Sequence, residues 1–343
     1  MSTANLDSAD LKGATYGGLI REDVMNKIWD ISKIPLPFTD MIGTETCKNE
    51  YKEWTLDTLA AVDTTNAIVD GADASGNNTV IGTRVGNHCQ ISDKVVRVSD
   101  RAQSSDVIGR KKELSYQLMR RQQELKRDIE AIALLNQASV ADDGNSTAGK
   151  AGGLPSWLET TAYHGAGGSD GGFNTSDGLT DVRTAGTKRA LTEELVRDTV
   201  ESVYNEGGDP TVAMSVPTVI RAFSEYLFTS SARVATLTSD QGKSGEQATA
   251  LGSVNVFVTD FGTLKLVPNR LQQLYSTTVA DMFILDPEYL ALGYLHGVKV
   301  KELSRTGTAD NRQMTCDWTL IVNTEKAHGM IGDIDTALAV TAS

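Results

Sequence analysis

The chain has 343 residues, 40% of them hydrophobic, and its 45 Asp and Glu against 32 Lys and Arg give a formal charge of −13. The length allows two domains or one domain with large excursions, and no stretch approaches the ~18 apolar residues of a membrane helix. The acidic balance argues against tight binding to nucleic acid, because that binding depends on Lys and Arg that displace counterions from phosphates.

Residues 1–45 alternate short apolar clusters with breakers, including the run Ile34-Pro35-Leu36-Pro37-Phe38. The two prolines break helix and favour extended backbone in the residues before them. This pattern predicts an arm rather than a compact unit. The polar start MSTANLDSADLKG has neither the charged nor the apolar region of a signal peptide, so we expect a protein that is made and kept in the cytosol.

Two strand-like stretches follow, Cys47–Asp57 and His88–Ser99, both with β-branched and aromatic residues. The run between them is rich in Gly, Asn, Asp and Thr, which are residues of turns and loops. Together they predict a long two-stranded excursion with a flexible tip. Because an isolated ribbon is only marginally stable in water, we expect it to lie on another surface.

The stretch GRKKELSYQLMRRQQELKRDIEAIALLNQ, residues 109–137, predicts an amphipathic helix of about 40 Å at 1.5 Å per residue. Its apolar residues recur at spacings of four, seven, four and three, which puts them in one stripe. The stripe consists of Leu114, Leu118, Leu125, Ile129 and Ile132, and Val107 extends it.

The same helix carries seven Lys and Arg residues with acidic residues interleaved among them. Arg120 and Glu124, and Lys126 and Glu130, are four residues apart, and Glu124 and Arg127 are three apart. Those spacings bring opposite charges together on a helix surface. The pattern therefore favours a solvated, ion-paired face.

After Gln137 the chain is rich in Gly, Ser, Asp and Thr to about residue 186, which predicts an insertion or an exposed loop. Helices are predicted at Thr192–Asn205 and from Ser215 and Pro217 to about Phe228. A polar, flexible run follows at 229–250. Strands are then predicted at Val254–Asp260, Leu264–Pro268, Asp281–Asp286, Val298–Leu303 and Met314–Asn323, with a hairpin turn at Gly307–Asn311.

No set of residues for catalysis, a metal or a cofactor emerges from the sequence. The run QGKSG at 241–245 has the end of a phosphate-binding loop, but Leu237 stands where the motif needs its first glycine. His88 and Cys89 are neighbours on a strand and point to opposite faces, and no second pair has zinc spacing. Cys47, Cys89 and Cys316 are far apart without a CxxC pair, so we expect reduced thiols.

Long polar loops, a ribbon without a partner surface and an arm without a core are typical of a subunit that its neighbours complete. The order of the parts resembles the major capsid protein of tailed bacteriophages, a fold shared with the capsid floor of herpesviruses. The specific likeness is LDPEYLALGYLHGVKVKELSRTGTADNRQMTCDWTLIVNTEKAHGMIGDI, residues 285–334. Glu130–Gln137 and Gly152-Gly153-Leu154 support it. The likeness spans roughly residues 20–335, and residues 140–185 match least.

The resemblance implies an α+β fold whose parts can be assigned along the chain. These parts are an N-arm at 1–45, an extended β E-loop at 46–99, a peripheral domain at 100–185 with a long spine helix at 100–137 and a Gly-rich insertion at 140–185, an axial domain with a mixed sheet and helices at 186–305, and a return to the peripheral domain at 306–343.

The resemblance also implies roles for three groups of residues. The first forms an intersubunit E-loop tip of Asp70, Gly71, Asp73, Gly76, Asn77 and Asn78. The second lies in an axial loop at 229–250, at the centre of each capsomer, and consists of Arg233, Asp240, Lys243 and Glu246. The third is the Leu114–Ile132 stripe, which packs the spine helix on the peripheral sheet.

By the same resemblance, the chain is a structural protein without a cofactor. It is expected to self-assemble into hexamers and pentamers of an icosahedral head that encloses double-stranded DNA. Other expected partners are a separate scaffolding protein, a portal protein, decoration proteins and the packaged DNA through weak, non-specific contacts, and no membrane. The head would be assembled in the host bacterial cytoplasm and would end in the virion.

Two other functions fit isolated parts of the sequence. An enzyme with a nucleotide loop at 237–244 would show saturable nucleotide binding that is lost with Lys243. A DNA-binding module that uses the basic residues of 110–127 would show an affinity that falls steeply with salt. The capsid interpretation predicts neither behaviour.

Overall fold

The computed structural model of the chain describes residues 35–71, 82–107, 112–229, 255–305, 307–338 and 340. Within these ranges the chain forms a four-stranded sheet, a six-stranded sheet, two small hairpins and four α-helices. The strands are β1 (Gly43–Thr46), β2 (Tyr51–Leu56), β3 (Thr83–His88), β4 (Gln90–Ser99), β5 (Ala162–Tyr163), β6 (Gly172–Asn174), β7 (Leu179–Asp181), β8 (Val212–Ser215), β9 (Val256–Thr259), β10 (Gly262–Pro268), β11 (Val279–Leu285), β12 (Leu290–Glu302), β13 (Ala309–Val322) and β14 (Gly329–Asp335). The helices are α1 (Asp100–Ser104), α2 (Glu113–Ala133), α3 (Glu193–Asn205) and α4 (Pro217–Thr229).

The four-stranded sheet has the order β1-β12-β13-β4. β1 is parallel to β12, and the other neighbours are antiparallel. Along β4, Val96 and Val98 are buried while Ile91 and Val95 are exposed, so the strand has one core face and one outer face. The core face is the one that α2 covers, and Lys94 of β4 forms an ion pair with Asp128 of α2 at 2.5 Å.

The six-stranded sheet has the order β5-β14-β11-β8-β10-β9 and is mixed. β8 runs parallel to β10 and antiparallel to β11, which in turn pairs antiparallel with β14. Apolar residues of α3 and α4 form one core cluster with this sheet, among them Val196, Val200 and Phe223 against Ala213 and Ile284. The two helices therefore cover one face of the sheet.

A second core cluster joins the two sheets and α2. It contains Met214 and Phe283 from the six-stranded sheet, Trp318 from the four-stranded sheet, and Leu125 and Ile129 from α2. Because successive residues along β8 and β11 alternate between the two clusters, the six-stranded sheet is apolar on both faces. Its central strands β8, β11 and β14 are accordingly buried along almost their whole length.

The basic stretch is helical from Glu113 to Ala133, so α2 has 21 residues and spans about 31 Å. The prediction of one spine helix over 100–137 is wrong, because α1 ends at Ser104 and the backbone of Ser105 is extended. The hydroxyls of Ser104 and Ser105 donate to the carbonyls of Asp100 and Arg101, and such local hydrogen bonds compete with continuation of the helix. The two helices remain linked, since the Gln103 side chain accepts the N–H of Leu114 at 3.0 Å.

Several predicted elements lie where the sequence places them. Thr192 caps α3 by accepting the N–H of Leu195 at 3.2 Å, and α4 begins at Pro217. A two-stranded ribbon is present, but its second strand is wrong in the prediction: β2 pairs with β3, from Tyr51 with His88 to Leu56 with Thr83. The predicted second strand, His88–Ser99, is mostly β4, which pairs with β13 in the four-stranded sheet. The β12–β13 hairpin is confirmed and is longer than predicted. The sequence did not predict β1, β8 or β14.

The expectation of an exposed loop is wrong for part of the Gly-rich region. Residues 151–158 are buried, and Leu154, Trp157 and Leu158 belong to the core that joins the two sheets. Gly153 permits this packing, because a Cβ there would lie 1.9 Å from the carbonyl oxygen of Leu135. The apolar residues that follow Gly153 anchor this segment in the core.

The chain crosses between the two sheets twice near its end. β12 lies in the four-stranded sheet, although residues 186–305 were assigned to the axial domain. β14 lies in the six-stranded sheet, although residues 306–343 were assigned to the peripheral domain. The crossings fall between β11 and β12 and between β13 and β14.

Candidate functional site

The segment after β2 is an exposed stretch with large apolar side chains. Every residue from 57 to 71 is exposed. Leu59 is 99% exposed, Val62 91%, Ile68 83% and Val69 78%. Single exposed apolar residues are ordinary on protein surfaces, whereas clustered ones mark interaction sites. We name residues 57–71 the apolar segment.

The predicted E-loop tip is only partly within the described residues. Asp70 and Gly71 are exposed at the end of the apolar segment, and Gly71 has a φ of 77°, which favours glycine. Asp73, Gly76, Asn77 and Asn78 lie outside the described residues, as do the axial-loop residues Arg233, Asp240, Lys243 and Glu246. The roles of both sets remain predictions.

A cavity of about 350 Å³ opens beside the end of the β2–β3 hairpin where the apolar segment begins. Trp157 lies in its wall, stacked on Phe173 with ring centroids 5.7 Å apart. The indole N–H of Trp157 is buried, and no described residue accepts a hydrogen bond from it. The apolar part of the wall can take an apolar side chain. Its other apolar lining residues are Leu56, Val85 and Val322.

The predicted stripe of α2 faces the core, with its buried part at the C-terminal end. Leu125 is 0% and Ile129 3% exposed, and both belong to the core that joins the sheets. Leu118 and Ile132 are partly buried and pack against that core. Leu114, in the first turn, is partly buried. Helix packing is thus concentrated over the last three turns.

The charged face of α2 is ion-paired, but not with all the predicted partners. Arg121 pairs with Glu124, and Arg120 stacks on the ring of Tyr116 at 5.9 Å. Glu130 was predicted to pair with Lys126 and is instead fully buried. The prediction for Glu130 is wrong because two other segments of the chain cover the end of the helix on which it lies.

Glu130 joins three parts of the chain. Its carboxylate accepts the N–H of Phe38 at 2.9 Å, the N–H of Thr39 at 2.7 Å and the side-chain amide of Asn269 at 2.7 Å. Phe38 itself is 0% exposed and packs in the core. The end of the predicted arm is therefore fixed to α2 and to the segment that follows β10. A sequence signal exists, since eleven uncharged residues follow Glu130.

A second buried ionic cluster is centred on Arg183. Its guanidinium donates to Asp281 at 2.6 Å and to Asp333 at 3.3 Å, and it lies 4.6 Å from the ring centre of Tyr275. The N–H groups of Gly165 and Gly186 donate to the same Asp333 carboxylate at 2.9 Å. These contacts attach the segment between β5 and α3 to β11 and β14.

Protonation in this cluster follows from its hydrogen bonds. Burial would raise the pKa of Asp333, but the two glycine N–H groups and Arg183 outweigh burial and hold that pKa below its usual value. Burial likewise opposes the charge of Arg183, and Asp281 and Asp333 together raise its pKa above the usual value. The cluster is thus a charged, structural clamp.

The described residues offer little for the alternative functions. Among them, no group of three or more His, Cys, Asp or Glu is placed to hold a metal ion. No helix in the described ranges is long and apolar enough to cross a membrane. The QGKSG run lies outside these ranges.

Comparison of the sequence with protein families identifies the family of the chain. The sequence profile of the SU10 major capsid protein family matches residues 3–335. The chain belongs to the SU10 major capsid protein family. A curated relative, the major capsid protein of Escherichia phage Phieco32, is 41% identical over 113 residues. That match covers 33% of this chain and spans 32% of the relative's length.

Solved structures share the fold of this SU10 family member over nearly all of its length. The holo-SrpI encapsulin complex of Synechococcus elongatus PCC 7942 is 12% identical, with 98% of each chain covered and a TM-score of 0.56. A chain from Mycobacterium phage Adephagia is 11% identical, with 97% and 99% covered and a TM-score of 0.55. The capsid of a native GTA particle gives the same identity and TM-score. These likenesses establish an α+β phage-capsid fold.

Proposed function

We propose that this chain is the structural subunit of a phage head and that its copies assemble into hexamers and pentamers of a closed shell. Membership of the SU10 major capsid protein family supports a structural role. The observation that carries self-assembly is the apolar segment, whose four large apolar side chains are 78–99% exposed in a single subunit.

Burial of those side chains supplies a driving force for association. Fully burying a Leu, Val or Ile side chain is worth about 1.5–3 kcal/mol. Four of them therefore contribute several kcal/mol to each contact, before the cost of ordering the segment. A subunit with a charge of −13 stays soluble while it is free, so the acidic surface and the apolar segment have separate roles.

The cavity beside Trp157 is the proposed receptor for the apolar segment of a second copy. An apolar side chain of that segment would fill the cavity and pack against the indole of Trp157. The cavity lies next to the last pair of this copy's own hairpin, Leu56 and Thr83. Each hairpin would thus lie beside the next in a head-to-tail contact, and such contacts close into rings when the rotation allows.

The same proposal assigns a role in the capsid to each part of the fold. The β2–β3 hairpin with the apolar segment is the proposed E-loop, and α2 with the four-stranded sheet is the proposed peripheral domain. The six-stranded sheet with α3 and α4 is the proposed axial domain, and residues 229–250 are its axial loop at the capsomer centre. β12 then belongs to the peripheral domain and β14 to the axial domain, which modifies the division expected from the sequence.

Further partners and the place of assembly belong to the same proposal. A separate scaffolding protein would guide curvature, a portal protein would occupy one vertex, and decoration proteins would bind the outer surface. Packaged DNA would meet the inner surface through weak, non-specific contacts, which suits an acidic subunit. Assembly would take place in the host cytoplasm, and the virion would hold the mature shell.

The test replaces apolar side chains by charge without touching the core. Leu59→Asp with Val62→Asp should prevent shells while the subunit folds normally by circular dichroism. The matched control is Ala60→Asp with Thr64→Asp, which adds the same charge at exposed positions of the same segment. We expect shells of the control by electron microscopy. Shells from both variants, or from neither, would contradict an apolar docking role.

A further inference from the structure

One edge of the four-stranded sheet is a long and regular strand. β4 forms ten consecutive pairs with β13, from Gln90 with Trp318 to Ser99 with Ala309, and the register does not shift between them. β4 is the last strand in the order of its sheet, so no strand of the described residues pairs with its other edge. An edge of this kind can pair with a strand of another chain through its backbone N–H and C=O groups.

The other edges of the two large sheets are short or irregular in the part of the chain that the structure describes. β1, β5 and β9 have four, two and four residues. β12 extends beyond β1 after Tyr294, and its pairing with β13 shifts register twice around His296. Short strands and bulges protect sheet edges from pairing with other chains. β4 has neither form of protection.

The outer face of β4 carries an alternating row of exposed side chains. Ile91 is 62% and Val95 51% exposed, and Asp93 and Arg97 are exposed on the same face, because successive members of the row are two residues apart. The Asp93 carboxylate accepts the side-chain amide of Gln313 at 3.1 Å. The row therefore offers two apolar side chains and one charge of each sign to a neighbouring strand.

We propose that the β4 strands of two copies pair antiparallel across a twofold axis at Val95, and that the two four-stranded sheets thereby become one sheet of eight strands. The axis places the Val95 side chains of the two copies opposite each other. It places Asp93 of each copy opposite Arg97 of the other, so the contact contains the same pair of opposite charges twice. Ile91 lies opposite Ser99, at the two ends of the paired region.

The charges of β4 select this register. A twofold axis at Asp93, Lys94 or Arg97 would place the charge of that residue against the same charge of the second copy. An axis at Val96 would place Asp93 and Arg97 opposite uncharged side chains. The axis at Val95 places each of these two charges opposite one of the other sign. Opposite charges that face each other across two strands stabilise the pairing, and like charges destabilise it.

The core side of β4 is compatible with this pairing. Lys94 is the one charged residue of β4 on that side, and Asp128 of α2 already neutralises it. In the proposed register Lys94 lies opposite Val96 of the second copy and meets no second lysine. Since α2 covers the core face of the sheet, the α2 helices of both copies lie on the face opposite the row of exposed side chains.

The β4 contact differs in symmetry from the docking of the apolar segment. Docking is head-to-tail and can build rings, whereas β4 pairing is isologous and joins two copies. In a shell, β4 pairing would therefore link subunits of neighbouring capsomers. This position in the shell rests on the proposed function, whereas the pairing of two free subunits does not.

The first test uses the full chain with Leu59→Asp and Val62→Asp, which removes the proposed docking and leaves β4 unchanged. Sedimentation of this protein should show a monomer–dimer equilibrium. A further Asp93→Arg should weaken the dimer at least about tenfold, because it sets two positive charges opposite each other on both sides of the axis. Adding Arg97→Asp to that variant should restore the dimer, since opposite charges then face each other again. Circular dichroism checks that each variant is folded.

Cross-linking tests the register in the same background. Val95→Cys should give a disulfide between two chains under mild oxidation, because side chains that face each other across antiparallel strands have Cβ atoms about 5 Å apart. Ile91→Cys is the matched control on the same exposed face. In the proposed register its two copies lie about 27 Å apart along the strands, at about 3.4 Å per residue, so we expect no cross-link from it.

Each of the other results overturns the proposal. A monomer at every concentration would show that the edge does not pair. A dimer that Asp93→Arg leaves unchanged, or that Arg97→Asp does not restore in the folded double variant, would show that these charges do not face each other. A dimer without a cross-link through Val95→Cys, or with one through Ile91→Cys, would show a different contact. Because the apolar segment is disabled throughout, a failure of its docking does not affect these outcomes.

Discussion

At the scale of single residues, this subunit buries charged and titratable side chains where distant parts of its chain meet. Arg183 is separated by 98 residues from Asp281 and by 150 from Asp333. Glu130 is separated by 92 residues from Phe38 and by 139 from Asn269. Such contacts cost desolvation, and their removal leaves unpaired buried groups. They therefore favour one arrangement of the sheets and the Gly-rich region over others.

Neither cluster has a complete signal in the sequence. Local spacing predicts partners three or four residues apart, and Arg121 and Glu124 of α2 pair at such a spacing, although the predicted pairs are different ones. It assigns Glu130 to Lys126, because nothing local shows that Phe38 and Asn269 close over the helix end. For Arg183 no local pattern exists. The contact follows from the packing of three segments.

His328 makes the stability of the subunit depend on pH. It is 0% exposed, its Nδ1 accepts the N–H of Asp286 at 3.3 Å, and burial lowers its pKa from 6.5 to about 3. Between these two values the unfolded chain binds a proton that the folded chain does not. Stability from the neutral ring is therefore full above about pH 6.5 and falls as the pH drops toward 3, by about 1.4 kcal/mol per unit.

The measurement is urea unfolding of the free subunit at pH 7 and pH 5. We expect the wild type to lose about 2 kcal/mol more than His328→Asn between these values. The asparagine keeps an acceptor and cannot be protonated in this range, so the difference between the two proteins isolates the histidine. Equal losses in both proteins would mean that His328 is accessible to protons in the folded state.

At the scale of elements, prediction succeeds where local chemistry decides the structure. α3 is predicted to within one residue, because Thr192 caps it and its apolar spacing is regular. β8 and β14 are missed, because all their residues are buried and no alternation remains. β14 also contains two Gly and two Asp, residues that are depleted in strands. Gly332 is needed there, since a Cβ would lie 2.9 Å from His164 and 3.2 Å from Arg183.

α2 allows a paired test of its two faces. Leu125 is fully buried, so Leu125→Ala should cost about 2–5 kcal/mol and Leu125→Asp should abolish the soluble folded subunit. Arg120 and Lys126 lie on the solvated face, so each should matter by less than about 1 kcal/mol. We expect Arg120→Gln with Lys126→Gln to give folded subunits and shells by circular dichroism and electron microscopy.

The opposite result for the two sets of substitutions would indicate that α2 binds DNA. If Leu125→Asp folded normally while the two glutamine substitutions abolished DNA retention in otherwise intact heads, α2 would be a nucleic-acid element. Salt dependence separates the cases further, because a helix that binds phosphates loses affinity steeply as salt rises. A solvated scaffold helix has no such dependence.

At the scale of the whole molecule, the described residues divide into a part that packs in two cores and an exposed apolar segment that we propose to dock on a second copy. Two core clusters hold the sheets, α2, α3 and α4 together. The apolar segment belongs to neither cluster. Strand propensities predict β2, but they place its partner at His88–Ser99 instead of at β3, and the exposed apolar side chains are explained by the docking proposed above. Within the described residues, the sheets and helices of a single chain therefore share packed cores, whereas the apolar segment packs against neither core.

Proteolysis can measure whether the apolar segment becomes inaccessible when subunits assemble into shells. The chain has no Lys or Arg between Lys52 and Arg84, so trypsin cannot cut the apolar segment, while thermolysin cleaves beside exposed Leu, Val and Ile. In free subunits we expect rapid thermolysin cleavage within 57–81 and slow tryptic cleavage at Lys52 and Arg84, which lie in paired strands. In shells, thermolysin cleavage should slow at least about tenfold, because docked side chains are inaccessible. Cleavage by thermolysin at equal rates in subunits and shells would mean that the apolar segment stays exposed after assembly.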